Sequence, residues 1–190
     1  MKTQDYSNEL APALMEVLEE LVRVGKICYY GWSTDDVERA RLFARGEGCV
    51  AIEHRLNVFN DNPAMLDLCR EQNLASLNRG PLLMGVLTGR WSPETKLEES
   101  DPRAKWFEQE EFLKVLACAQ QIKPYLTSDG RSYVQGALGW IWARSPLTIP
   151  LPGFRNLEQI QALVQAWQFG PLPLDVMQAI AERVKSAGIA

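Results

Sequence analysis

Three short apolar runs recur along the chain at an almost even step, each separated from the next by an amphipathic stretch. They are Ile27-Cys28-Tyr29-Tyr30, Cys49-Val50-Ala51-Ile52 and Leu74-Ala75-Ser76-Leu77, beginning near positions 27, 50 and 74, steps of 23 and 24 residues. Runs of this length, apolar throughout and bounded by glycine or polar residues, read as strands buried on both faces. One helix and two turns fill such a step. The repeat therefore predicts βα units laid around a parallel sheet.

The helix signals agree. Leu10, Leu14, Val17, Leu18, Leu21 and Val22 recur at helical spacing, with glutamates between them and Gly25 as a left-handed terminator. Ser33-Thr34-Asp35-Asp36 opens a second helix with capping hydroxyls and dipole-compatible carboxylates, carrying Val37, Ala40 and Phe43 inward to an end near Gly46 or Gly48. Asn62-Pro63 opens a third. An irregular stretch from Gly80 to about Glu108 is long for a compact domain, the mark of a functional or disordered loop. Helices are then expected over Glu110–Tyr125, Ser132–Ala143, Asn156–Trp167 and Leu174–Ser186, with a fourth strand at Leu147-Thr148-Ile149. Asn156 and Gln159 occupy capping-box positions.

The sum is four strands and about seven helices. A complete eight-fold βα barrel needs roughly 250 residues, with about 200 as a lower limit, and the sequence has 190. Four parallel strands leave an open doubly-wound sheet or half of a barrel. Half a barrel would leave two strand edges and one apolar face to be covered by a partner. The net charge of −4 at pH 7, without a basic stripe, excludes a typical nucleic-acid binder. No apolar run approaches the ~18 residues of a membrane span. Residues 1–9 are polar and unlike a signal peptide. Cys28, Cys49, Cys69 and Cys118 form no close pair and lie among apolar residues, so they read as reduced core thiols of a cytoplasmic protein without a zinc site.

Four segments, in order, resemble the C-terminal half of an aldo/keto reductase. Leu18 to Ser33 resembles the helix–strand unit that ends in that family's Gly-x-Ser-Asn. Arg79-Gly-Pro-Leu-Leu-Met-Gly-Val-Leu-Thr-Gly89 resembles its Pro-Leu-x-x-Gly-x-Leu-Thr-Gly loop, followed by an Asp-x-Arg at Asp101-Pro-Arg103. Gln135-Gly-Ala-Leu-Gly-Trp140 and Ile149-Pro-Leu-Pro-Gly-Phe-Arg155, then Gln159, resemble the last strand and its adenosine-phosphate loop. The resemblance implies an α/β fold, a partial (β/α)8 barrel of about four parallel strands with surrounding helices, spanning residues 1–190 as one domain and corresponding to strands five to eight. It implies NADP(H) as cofactor and carbonyl–alcohol oxidoreduction as the family chemistry.

By the same resemblance, Ser33 holds the nicotinamide carboxamide, with Thr34 where Asn is usual. Glu53 stands where the family has Gln and can accept hydrogen bonds but not donate them. Arg79 stands near the position of a Tyr that stacks on the nicotinamide, and a planar guanidinium can also stack. Pro81, Leu82, Gly85, Leu87 and Gly89 match the pyrophosphate loop. Gly153 and Arg155 match the 2′-phosphate loop, with Arg155 favouring NADP over NAD. Ala162-Leu163 replaces the family's Glu-Asn pair at the adenine, weakening that contact. The family's catalytic Asp, Tyr, Lys and His belong to the other half and have no counterpart here.

Plainer readings stand beside these. His54, the only histidine, is expected to be structural, Asp35 and Asp36 to be helix caps, and the Glu98-Glu99 and Glu108–Glu111 runs to be solvated. Trp140 and Trp142 cannot share one helix face, so one is core and the other is free to meet a partner. Three functions stay open: a reductase reduced to its cofactor side and inactive alone, a non-catalytic module that associates with a second copy or with a subunit carrying the missing half, and a truncated product.

Overall fold

A computed structural model describes residues 10–98, 100–101 and 104–189. The N-terminal nonapeptide, Glu99 and the Pro102-Arg103 of the Asp-x-Arg motif lie outside the described residues. The strands are β1 (Tyr30–Ser33), β2 (Cys49–Arg55), β3 (Ala75–Arg79) and β4 (Thr148–Pro150). The helices are α1 (Ala11–Arg23), α2 (Val37–Phe43), α3 (Pro63–Glu71), α4 (Glu110–Leu126), α5 (Tyr133–Arg144), α6 (Leu157–Phe169) and α7 (Leu174–Ser186).

All three strand pairs are parallel, in the order β1-β2-β3-β4. A doubly-wound sheet reverses its strand order at a switch point. Here each strand lies beside the one before it, as in an arc of a (β/α)8 barrel. The order selects between the two architectures that the sequence left open.

Side chains on the strands divide by face. Ile52, His54, Ser76, Asn78 and Thr148 are buried under the helices, while Glu53, Arg55, Leu77, Arg79 and Ile149 lie on the opposite, more open face. Beneath the helices the core has two parts. One packs Ile52 of β2 against Phe43, Met65, Leu68 and Cys69, and Trp32 stacks on Phe43 with ring centroids 3.9 Å apart. The other joins Leu116, Ile122 and Leu126 of α4 to Ala137 and Ile141 of α5 and Ile180 of α7.

Local chemistry explains the helix starts. Asp36 Oδ1 accepts from the N–H groups of Glu38 and Arg39, Asn62 caps Met65, and Ser132 and Gln135 form a reciprocal capping box on α5. At the far end of α6 the buried Arg131 donates to the carbonyls of Gly170, Phe169 and Pro171 at 2.8, 3.0 and 3.3 Å. That supplies donors and positive charge to a helix C-terminus.

Two expectations need correction. The first strand begins at Tyr30 rather than Ile27, because the N–H groups of Lys26 and Ile27 turn back to the Leu21 carbonyl behind Gly25, whose φ is +72°. Cys28 therefore sits in the connection and is exposed, whereas Cys49, Cys69 and Cys118 are buried as expected. Trp140 is core, and the ring met by Trp142 is Trp167 of the same chain, edge-on at 5.5 Å.

Candidate functional site

The residues singled out by sequence fall into two groups at the C-terminal ends of the strands. The first lines a cleft of about 750 Å³ between the segment after β3 and the turn joining β4 to α6. Pro81, Leu82 and Gly85 form one wall, and Gly153, Arg155, Gln159, Ala162 and Leu163 form the other. A cleft of this size suits a ligand as large as one half of a dinucleotide.

The first wall is an unusual piece of backbone. Leu83, Met84 and Gly85 are consecutive residues with positive φ, at +42°, +51° and +107°. Leucine and methionine adopt such angles at a cost, and the turn they make bends the chain around the cleft. The φ of Gly85 favours glycine, and a Cβ there would also press on the Trp91 ring at 3.2 Å. The segment is tethered at its base, where the buried Asn57 donates from Nδ2 to the Gly80 carbonyl at 2.9 Å.

On the second wall Asn156 caps α6 through Gln159 N–H at 2.9 Å. The Gln159 side chain reaches one residue beyond the usual box, and its Oε1 accepts from Arg155 N–H at 2.7 Å. Gln159 thus fixes the Arg155 backbone. The Arg155 side chain is exposed and makes no ion pair among the described residues. A Cβ on Gly153 would meet nothing within 4 Å, so that side of the cleft is open to a ligand. A free guanidinium next to a helix N-terminus is suited to phosphate. Ala162 and Leu163 offer apolar surface.

Two expected loop residues do not reach the cleft. Leu87 is fully buried in the α4–α5 core. Gly89 packs on Tyr133, where a Cβ would come within 2.8 Å of the ring. Their role is to shape the turn, because the tight backbone sends these two positions inward. Arg90 and Trp91 do line the cleft. Arg90 directly follows the Leu87-Thr88-Gly89 signature, so its position was available to a reading of the sequence.

The second group sits at the sheet rim. Ser33 and Glu53 are register partners on β1 and β2, and both are half-buried. Thr34, by contrast, is buried, and its Oγ1 accepts from Asp36 N–H at 3.1 Å, which makes it part of the α2 start. Arg79 is in register with Arg55 and is ion-paired with Asp35. Asp35 is not the helix cap expected from sequence, a role that Asp36 fills alone. Its Oδ1 accepts from Arg55 N–H at 2.7 Å, and its carbonyl accepts from Asn62 Nδ2 at 3.2 Å.

His54 is structural. It is fully buried beneath β2, with Nδ1 against the Arg55 carbonyl at 3.1 Å and Nε2 against Ser76 Oγ at 2.8 Å and Asn78 Nδ2 at 3.3 Å. Burial holds its pKa below the usual histidine range. The two buried tyrosines are also committed to structure. Tyr30 donates to Glu19 at 2.6 Å and Tyr133 to the Ala119 carbonyl at 2.5 Å, and desolvation raises the pKa of both. No helix is long and apolar enough to cross a membrane, and no cluster of metal-ligating side chains occurs, among the described residues.

Comparison with known proteins gives a consistent result. The model of the aldo/keto reductase family matches residues 4–185. Among curated relatives, the aldo-keto reductase yakc [NADP(+)] of Schizosaccharomyces pombe is 25% identical over 181 residues, covering 92% of this chain and 52% of its own length. The aldo-keto reductase YhdN of Bacillus subtilis is 29% identical over 153 residues, covering 78% and 46%. The chain thus spans about half the length of the curated relatives it matches. Among solved structures, the glycerol dehydrogenase AKR11B4 of Gluconobacter oxydans superposes with a TM-score of 0.83 at 23% identity, over 97% of this chain and 57% of that one. An aldo/keto reductase of Klebsiella pneumoniae in complex with NADP and acetate gives 0.66 at 19%, over 93% and 55%.

Proposed function

This chain belongs to the aldo/keto reductase family, and from that premise we propose that it forms the cofactor-holding side of an NADP(H)-dependent carbonyl reductase. One observation carries the reading. Two segments some seventy positions apart, after β3 and after β4, converge on a single cleft with a free arginine at one end.

The residues fit the cofactor in these terms. Arg155, with its backbone held by Gln159, would pair with the 2′-phosphate. The backbone from Pro81 to Gly85 would approach the pyrophosphate. Ala162 and Leu163 would meet the adenine through apolar contact alone. At the rim Ser33 would donate to the carboxamide oxygen, Glu53 would accept from its N–H2, and the Arg79 plane would stack on the ring. When bound, the reduced nicotinamide supplies a hydride to a carbonyl carbon.

We propose further that these 190 residues turn over no carbonyl by themselves. The protonation of the nascent alkoxide calls for a general acid, and the buried phenols of Tyr30 and Tyr133 are engaged in structural hydrogen bonds with raised pKa values. The expected result is that NADPH quenches the tryptophan fluorescence of the pure chain, Trp91 being a cleft residue. Arg155→Ala should weaken that binding about tenfold, the usual loss of one charge-assisted hydrogen bond at an exposed site. No aldehyde-dependent NADPH consumption should accompany it. A chain that neither binds NADPH nor prefers it to NADH overturns the cofactor reading, and robust turnover overturns the inactivity.

A second reading is favoured by the open face of the sheet and by α6. Ile149 and Leu151 are 48% and 45% exposed, and Leu157, Val164 and Trp167 along α6 are 67–74% exposed. Leu157, Val164 and Trp167, at i, i+7 and i+10, share one face of α6, and that exposed apolar face suits an association site, for a second copy or for a subunit supplying further strands.

A further inference from the structure

We propose that Asp35 is a positioning residue for Arg79, holding its guanidinium across the rim of the sheet where the nicotinamide is proposed to lie; the inference rests on the cofactor reading above. Asp35 follows β1, Arg79 ends β3, and β2 lies between them. The ion pair therefore spans the end of β2, beside the in-register pair Ser33 and Glu53.

The carboxylate is well fixed. Its Oδ1 accepts from Arg55 N–H at 2.7 Å, and the same residue's carbonyl takes Asn62 Nδ2 at 3.2 Å, so the turn after β1 is tied to β2 and to the start of α3. The other oxygen, Oδ2, receives Arg79 Nη2. The pair is substantially exposed, with side chains 36% and 45% accessible for Arg79 and Asp35. Such pairs add little to stability, so its consequence is orientation.

The alternative state of Arg79 is unfavourable for stacking. Its register neighbour is Arg55, and two guanidinium groups side by side repel each other. Asp35 offsets that repulsion and draws Arg79 toward β1 and β2. An arginine freed from it would be disordered, and the ligand would have to order it on binding.

The test separates the two halves of the ligand, using Asp35→Asn because an asparagine Oδ1 can still accept from Arg55 N–H while losing the charge that holds Arg79. Titrations of the full chain with NADPH and with adenosine 2′,5′-bisphosphate are followed by tryptophan fluorescence. Asp35→Asn should weaken NADPH about three- to tenfold, the usual effect of ordering one flexible side chain, and leave the bisphosphate unchanged. Arg79→Ala should do the same, the double variant should lose no more than either single one, and Asp35→Glu should recover part of the loss. Equal weakening of both ligands, additive losses, or NADPH binding by Asp35→Asn at the wild-type level overturns the inference while the cofactor reading stands. A wild-type chain that does not bind NADPH removes both the cofactor reading and this inference.

Discussion

At the scale of single residues, His54 shows how a titratable group can be conspicuous and yet structural. With its Nδ1 proton given to the Arg55 carbonyl, its Nε2 is left to accept from Ser76 Oγ, which in turn accepts from Asn78 Nδ2 at 2.8 Å. Each donor meets an acceptor only while the imidazole is neutral. Burial lowers the folded-state pKa below the ordinary value of 6.5, with the Asp35 charge opposing and the Arg79 charge reinforcing the shift more weakly. The sign follows from linkage: above about 6.5 both folded and unfolded forms are neutral and this group adds no pH dependence, and as pH falls toward the folded value only the unfolded chain takes up the proton. Stability is therefore lost on acidification in that window. Urea midpoints at pH 7.5 and 5.5 should differ more in the wild type than in His54→Gln, and identical differences would refute the assignment.

Asp35 marks the limit of a residue-by-residue reading. Its sequence neighbours are those of a helix cap, and only distance along the chain separates the two outcomes, because its partners lie 20 and 44 residues away. Asp36, whose partners are two and three residues away, was legible for that reason.

Among the elements, the helix starts are legible because their signals are local: α4 through α7 begin within a residue of Glu110, Ser132, Asn156 and Leu174, whereas α2 ends at Phe43, short of the expected Gly46 or Gly48, since the N–H groups of Arg45 and Gly46 turn back to the Leu42 and Phe43 carbonyls. The start of strand β1 is not legible in this way, since its pairing with β2 and the Gly25 turn decide which four residues join the sheet. The cleft residues were legible through motif, whereas the inward fate of Leu87 and Gly89 depends on the packing of Tyr133 and α4. The crossing of α4 and α5 supplies a sharper check. A Cβ on Gly136 would lie 1.8 Å from the Leu126 carbonyl oxygen, whereas one on Gly153 meets nothing. Gly136→Ala should cost about 3 kcal/mol or more, the upper end of overpacking penalties, measured as a lower denaturation midpoint. Gly153→Ala should leave that midpoint unchanged.

For the whole molecule, the question is what lies against the open sheet face and the exposed stripe of α6. The second reading predicts association in solution: light scattering should give a mass above that of one chain, and Val164→Glu with Trp167→Glu should shift it toward the monomer. A monodisperse wild-type monomer at tens of micromolar protein would sink this reading and leave the cofactor cleft, which faces neither of these two residues, unaffected.

The β1-β2-β3-β4 order also bears on how the protein is made. Each strand after β1 docks on a neighbour already synthesised, so within this sheet no later strand has to be inserted between two earlier ones. Growth at one edge lets the arc assemble progressively as the polypeptide leaves the ribosome, with each helix–strand unit finding its template already in place.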